Sequence, residues 1–242
     1  EYGRRVSLLN NLAVALIRAE RYTESISLLS EALERAPSNQ ELKLNYAEAL
    51  IYAGRTEDAK AALDSLPRSE AVFRLLGELH SRSGDAANAL TNFTAAASND
   101  TPEHIYMLAD YYAGVSEYDS ALAAINRVKR PNARTAIKRA EIFKAREDYA
   151  SASDVLEKAL RSWPGDVELW LELSECCRRN YNMERAVQAS EKALALQPDN
   201  ARAKLEAVKI KRSRNRPREY QEALRQLIDS LKDEYRDMEE AL

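Results

Sequence analysis

One apolar register returns along the 242 residues, and it limits the chain to an array of similar small units before any local structure is considered. Leu9, Leu12, Ala13, Leu16, Ser25, Leu29, Ala32 and Pro37 have the same spacings as Trp170, Leu173, Ser174, Cys177, Ala186, Ser190, Ala193 and Pro198. Ala136, Arg139, Ala140, Phe143, Ala152, Leu156, Ala159 and Pro164 form a third set, which begins 34 residues before the Trp170 set. Carried along the chain, the register gives seven units starting near Val6, Gln40, Glu70, Pro102, Ala133, Val167 and Ala201. Each unit holds a small residue late in its length: Ser25, Ala59, Ala89, Ala121, Ala152, Ala186 and Ala223. A second small residue stands earlier, at Ala13, Ala47, Gly77, Ala109, Ala140 and Ser174, with Val208 the exception.

These spacings resemble the tetratricopeptide repeat, whose signature is W-x2-L-G-x2-Y…A-x3-F…P over 34 residues. The resemblance covers essentially the whole chain. It implies an all-α fold, an α-solenoid of helix-turn-helix repeats wound into a right-handed superhelix. The domain reading is a flank over 1–5, a seven-unit array over 6–236, and the end of a long C-terminal capping helix over 237–242. The second, third and fourth units are 30, 32 and 31 residues long, so their second helices should end about one turn early. Pro67, Pro102 and Pro131 then stop or start helices.

Composition agrees and excludes other classes. Only 6 Gly and 7 Pro are present, too few for the turns of an all-β fold. With 45% hydrophobic and 31% charged residues the chain can build a core. A net charge of −3 gives no general attraction to nucleic acid. No run of 18 apolar residues exists, so direct membrane insertion is not expected. Cys176 and Cys177 are adjacent, which suits two buried thiols in a reduced, cytoplasmic protein better than a disulfide scaffold. Asn92-Phe93-Thr94 and Asn99-Asp100-Thr101 match the glycosylation sequon and matter only if the chain is secreted.

No constellation points to catalysis. His80 and His104 lack a second ligand at metal spacing, no Gly-rich phosphate loop is present, and no Ser or Cys sits in a nucleophile motif. The expectation is a non-enzyme with no cofactor and no metal.

Function in the resembled family lies on the concave face lined by first helices. The ninth position of units two to six carries Glu48, Glu78, Asp110, Glu141 and Glu175, an acidic row. The fifth position, reading Asn10, Leu44, Arg74, Tyr106, Ile137, Leu171 and Leu205, is mostly apolar. Such a surface suits a basic or amphipathic peptide or helix of another protein, with Tyr52 and Tyr106 as aromatic anchors. The competing reading is that each carboxylate only pairs with a neighbouring Arg. Tyr46, Tyr111, Tyr112, Tyr118 and Tyr149 read as packing residues. The family's clamp for acidic chaperone tails would need Asn where this chain has Glu78 and Met107, so that ligand is disfavoured.

The C-terminal end is asymmetric in charge. A basic patch of Lys209, Arg212, Arg214, Arg216 and Arg218 precedes an acidic last helix. The patch could meet nucleic acid or neutralise that helix, and the scarcity of aromatics beside it disfavours nucleic acid. Leu224, Leu227, Ile228, Leu231, Tyr235, Met238 and Leu242 recur at helical spacing, as a cap or as a seam for self-association. The function expected is a protein-interaction scaffold or adaptor. The alternatives are a repeat module of a larger enzyme or membrane-anchored assembly protein, or a nucleic-acid binder.

Overall fold

Every small residue of the register marks a place where two helices cross closely. The computed structural model describes residues 2–213 and 217–240, and among them every regular element is an α-helix. In order these are α1 (Tyr2–Arg18), α2 (Tyr22–Arg35), α3 (Gln40–Tyr52), α4 (Thr56–Asp64), α5 (Glu70–Arg82), α6 (Ala86–Ala96) and α7 (Pro102–Gly114). There follow α8 (Tyr118–Ile125), α9 (Ala133–Ala145), α10 (Tyr149–Ser162), α11 (Val167–Arg179), α12 (Met183–Leu196), α13 (Ala201–Ser213) and α14 (Pro217–Glu240). Odd-numbered helices are the first of each pair and even-numbered ones the second. The chain divides into two compact parts, residues 1–111 and 112–242.

In the first part, Ser25 on α2 donates its hydroxyl to the Ala13 carbonyl on α1 at 3.0 Å. In the second part the arrangement is reversed, with Ser174 on α11 donating to the Ala186 carbonyl on α12 at 2.9 Å. In these two units the small positions face each other, and the serine's buried hydroxyl is satisfied. Gly77 is tighter still. A Cβ placed there would lie 2.5 Å from Cδ1 of Phe93 on α6, so only glycine admits that ring.

The pairs share one turn. Glu20, Gly54, Gly84, Ser116, Glu147 and Tyr181 each stand two residues beyond a first helix with φ between 59° and 80°. The amide after each reaches back to the last helical turn, as Arg21 does to Leu16 at 2.9 Å and Asn182 to Cys177 at 2.8 Å. This is the left-handed helix stop that glycine favours, yet only two of the six are glycine. Between units, Asn39, Ser69, Asn132 and Asp166 cap the following first helix by accepting from an amide in its first turn.

The second helices α4, α6 and α8 have 9, 11 and 8 residues, against 14 for α2, α10 and α12. They end early where the unit lengths require it. Pro102 opens α7, where the missing amide hydrogen costs nothing. One boundary differs from the sequence reading: α1 begins at Tyr2, so residues 2–5 belong to the first helix and are not a flank. At the other end α14 runs 24 residues to Glu240, and residues 241–242 lie outside the described residues.

Candidate functional site

The first helices carry nearly all of the residues expected to form a binding face, and the two parts of the chain use them differently. In the first part the centre is Tyr52, the last residue of α3. The Tyr22 ring stacks on it with centroids 5.6 Å apart and planes at 19°. Cζ of Arg82, the last residue of α5, lies 4.5 Å from the Tyr52 ring centroid, a cation–π contact. Arg82 Nε in turn donates to Glu78 at 2.7 Å, and Arg74 donates to Glu48 at 3.3 Å. Burial, then the nearby Glu78 and Glu48 carboxylates, raise the Tyr52 pKa, so its hydroxyl stays protonated and able to donate. A depression of about 390 Å³ opens beside the ring, bordered by Glu20, Arg21, Tyr22, Thr23, Glu24 and Ala53.

Asn10 is buried, donating to Glu41 at 2.8 Å and accepting from Asn45 at 2.7 Å. It ties α1 to α3 and is not a surface group. Leu44 is half-buried against the α3–α5 core. Tyr106 is only 3% exposed, which removes it as a surface anchor.

In the second part the ninth position leads into a ladder of ion pairs. Glu175 accepts from Lys144 Nζ at 3.0 Å, and the same ammonium meets Glu172 at 2.6 Å. Glu172 is buried and also binds Arg202 of α13, which reaches Glu168 as well. Arg178 donates to Glu206 at 2.6 Å, and Lys209 approaches Glu206 at 3.4 Å. Burial opposes the Lys144 charge, but the two carboxylates overcome it and hold the pKa above the ordinary lysine value. Burial would likewise raise Glu175, and Lys144 brings it below the usual carboxylate value instead. Glu141 pairs with Lys138 at 3.0 Å, and Ile137 is half-buried against the neighbouring core. Leu171 is 2% exposed, sealed against Ala203 and Ala193. The fifth position thus serves largely to pack one first helix against the next.

The acidic row is accordingly not a row of free charges. Glu48, Glu78, Glu141 and Glu175 each have a basic partner within the chain, and Asp110, though exposed, also has one or more partners. In the basic patch, Lys209 is engaged with Glu206, Arg212 and Arg218 are exposed, and Arg214 and Arg216 lie outside the described residues. Burial pushes the Cys176 thiol up to about 12 and raises Cys177 too, which favours the neutral thiol over the thiolate in both. No group of three or more His, Cys, Asp or Glu able to hold a metal occurs among the described residues. His80 faces Asp85 at 3.4 Å and His104 faces Glu70 at 3.0 Å, each as a single pair.

Sequence reasoning passed over Glu172, Glu206, Lys144 and Arg178. Their signal was in the register: Lys144 and Arg178 share the twelfth position, and Glu172 and Glu206 the sixth position of the following unit.

Among the described residues, fourteen helices that carry this recurring register of small residues define an all-α helical-repeat protein. Two family models, both described as tetratricopeptide repeat, match residues 16–79 and 137–207, together more than half of the chain. The chain belongs to the tetratricopeptide repeat family. Such repeats are protein–protein interaction modules. The structure is similar to that of a tetratricopeptide repeat protein from Parabacteroides merdae, with a TM-score of 0.61 and 16% identity, covering 94% of this chain and 93% of that one. It is similar also to the C-terminal part of a TPR repeat-containing protein from Cytophaga hutchinsonii, with a TM-score of 0.59 and 16% identity, covering 92% and 99%. In sequence the chain is 22% identical over 231 residues to the human Protein O-mannosyl-transferase TMTC1. That match takes in 92% of this chain but only 23% of the human protein. No helix among the described residues is long and apolar enough to cross a membrane.

Proposed function

We propose that this chain is a non-catalytic scaffold that holds an amphipathic segment of another protein, extended or helical and bearing Lys or Arg, on its first-helix face around Tyr52. The observation that carries the reading is the Tyr22–Tyr52–Arg82 stack, a half-buried aromatic assembly next to an open depression and the Glu48 and Glu78 carboxylates. An apolar side chain of the ligand would enter beside the Tyr52 ring. A ligand cation would exchange with Arg74 or Arg82 on a carboxylate already turned to that face. Because exposed ion pairs contribute at most about 1 kcal/mol, such an exchange costs little. The paired acidic row gives register and selectivity more than affinity.

The test is selection from a displayed library of diverse peptides, with wild type and Tyr52→Ala compared for the peptides recovered. Recovered peptides should combine a basic residue with an aromatic or aliphatic one, and Tyr52→Ala should weaken them about tenfold, worth about 1.4 kcal/mol. Peptides bound equally by both proteins would refute the assignment of Tyr52.

A second reading rests on the human relative. Its name makes it a transferase, and this chain corresponds to under a quarter of its length. The repeat array would then be the interaction module of a larger enzyme or membrane-anchored protein. The reading frame on either side of the gene segment decides this directly.

A further inference from the structure

We propose that the second part of the chain holds a binding site for a small neutral molecule, compact and apolar with a single hydroxyl, of about the size of phenol. The site lies among α12, α13 and the start of α14, and it is independent of the reading given to Tyr52. The repeat marks it as an exception. Four residues after the small residue of each second helix, units one to five carry Leu29, Leu63, Phe93, Ile125 and Leu156, and unit seven carries Leu227, every one buried. In unit six that position is Ser190. The seventh position of a first helix is a buried leucine in three units, Leu76, Leu108 and Leu173, and in the helix that follows Ser190 it is Ala207. Leu63 shares an apolar core with Leu76, and Leu156 shares one with Leu173, so the two positions fill a common space between successive units. Where a pair of large side chains is expected, α12 and α13 bring a serine and an alanine.

The space is left as a chamber of about 190 Å³. Val187, Leu194, Ala207 and Ile210 give it apolar walls. An apolar cavity of about 150 Å³ is large enough to take up benzene. Ser190 borders the same chamber and is 3% exposed, and its hydroxyl has no hydrogen-bond partner among the described residues. A buried hydroxyl left in that state is costly, and the ligand that relieves it must bring a polar group of its own. A water needs about two to four polar partners to settle, so four apolar walls suit a ligand with an apolar body and one hydroxyl better. Glu191 and Glu219 also border the chamber and are exposed, and Lys211 is half-buried, which places these three at the mouth. Two carboxylates beside one ammonium favour a neutral ligand over an anion.

The experiment titrates the full chain with phenol and with benzene, following binding by saturation-transfer NMR and calorimetry, with circular dichroism to confirm the helicity of each variant. Phenol should bind about fivefold more tightly than benzene, the worth of one hydrogen bond. Ser190→Ala should erase that preference while still taking up both probes. Ser190→Leu restores the side chain that other units use, and it should abolish binding of both probes and raise the melting temperature of the ligand-free chain by about 2–4 °C. Ala207→Leu fills the same chamber from α13 and should abolish binding as well, so the result does not hang on one variant. The proposal is overturned if neither probe binds the wild-type chain, or if a folded filling variant binds phenol as tightly as wild type does. Equal affinity of wild type for phenol and benzene would overturn the part assigned to Ser190.

Discussion

Gly77→Ala is the substitution whose outcome the packing fixes most sharply. In an ordinary helix interior the change should stabilise by about 1 kcal/mol, because alanine has the higher helix propensity. Here the new methyl would lie 2.5 Å from Cδ1, 2.6 Å from Cε1 and 2.9 Å from Cγ of Phe93, about 1 Å inside normal carbon–carbon contact. The ring has little room to retreat, since Phe93 is 3% exposed and sits against Tyr111 with centroids 4.9 Å apart. Overpacking of this kind costs roughly 1–3 kcal/mol, more where the neighbour cannot move, so the net expectation is a loss of about 1–2 kcal/mol. For a chain of this size that lowers the melting temperature by about 2–8 °C. Denaturant unfolding followed by helical circular dichroism should compare wild type, Gly77→Ala, Phe93→Leu and the double variant. With leucine at 93 the clash is gone, and Gly77→Ala should turn neutral or stabilising, giving a favourable coupling of at least about 1 kcal/mol. If Gly77→Ala stabilises the wild-type background, the close approach of α5 to the Phe93 ring is wrong.

Three other outcomes follow from structure already described. Glu172→Gln leaves Lys144 and Arg202 facing a neutral amide, and should lower stability by about 1–3 kcal/mol in denaturant unfolding. An unchanged midpoint would mean the ladder contributes nothing. Tyr181→Gly and Ser116→Gly relieve left-handed backbone at non-glycine residues and should each stabilise by about 0.5–1 kcal/mol, whereas glycine at an ordinary loop position would destabilise. Glu175 has a folded pKa below its ordinary 4.5, so its contribution is present above that value and is lost as pH falls through the lowered one. Glu175→Gln should therefore melt below wild type at neutral pH, with the difference vanishing in acid.

The fold was legible because small residues are costly to misplace. Ala59, Ala89, Ala121, Ala152 and Ala186 are fully buried, and a bulky side chain at such a position would crowd its neighbours, so their spacing could be read without coordinates. The turns were less legible: Glu20, Ser116, Glu147 and Tyr181 adopt a backbone that glycine would have announced, held instead by the hydrogen bonds that close each helix. The binding face was the least legible. Which carboxylate stays free depends on which base reaches it from the next helix, as Arg74 reaches Glu48 and Lys144 reaches Glu175. A list of ninth-position residues cannot contain that. Tyr106 failed for the same reason, since its burial is decided by neighbours and not by its own position in the unit.

The first helices from α3 to α13 are each 13 residues long, whereas the second helices range from 8 to 24. From the second unit onward, length has thus been gained and lost in the second helices only. In engineering terms the first helix is the fixed gauge of the part and the second its adjustable spacer. Deletions trimmed from the ends of second helices, or whole units excised between successive capping residues such as Asn132 and Asp166, should leave the remaining first helices intact and interchangeable.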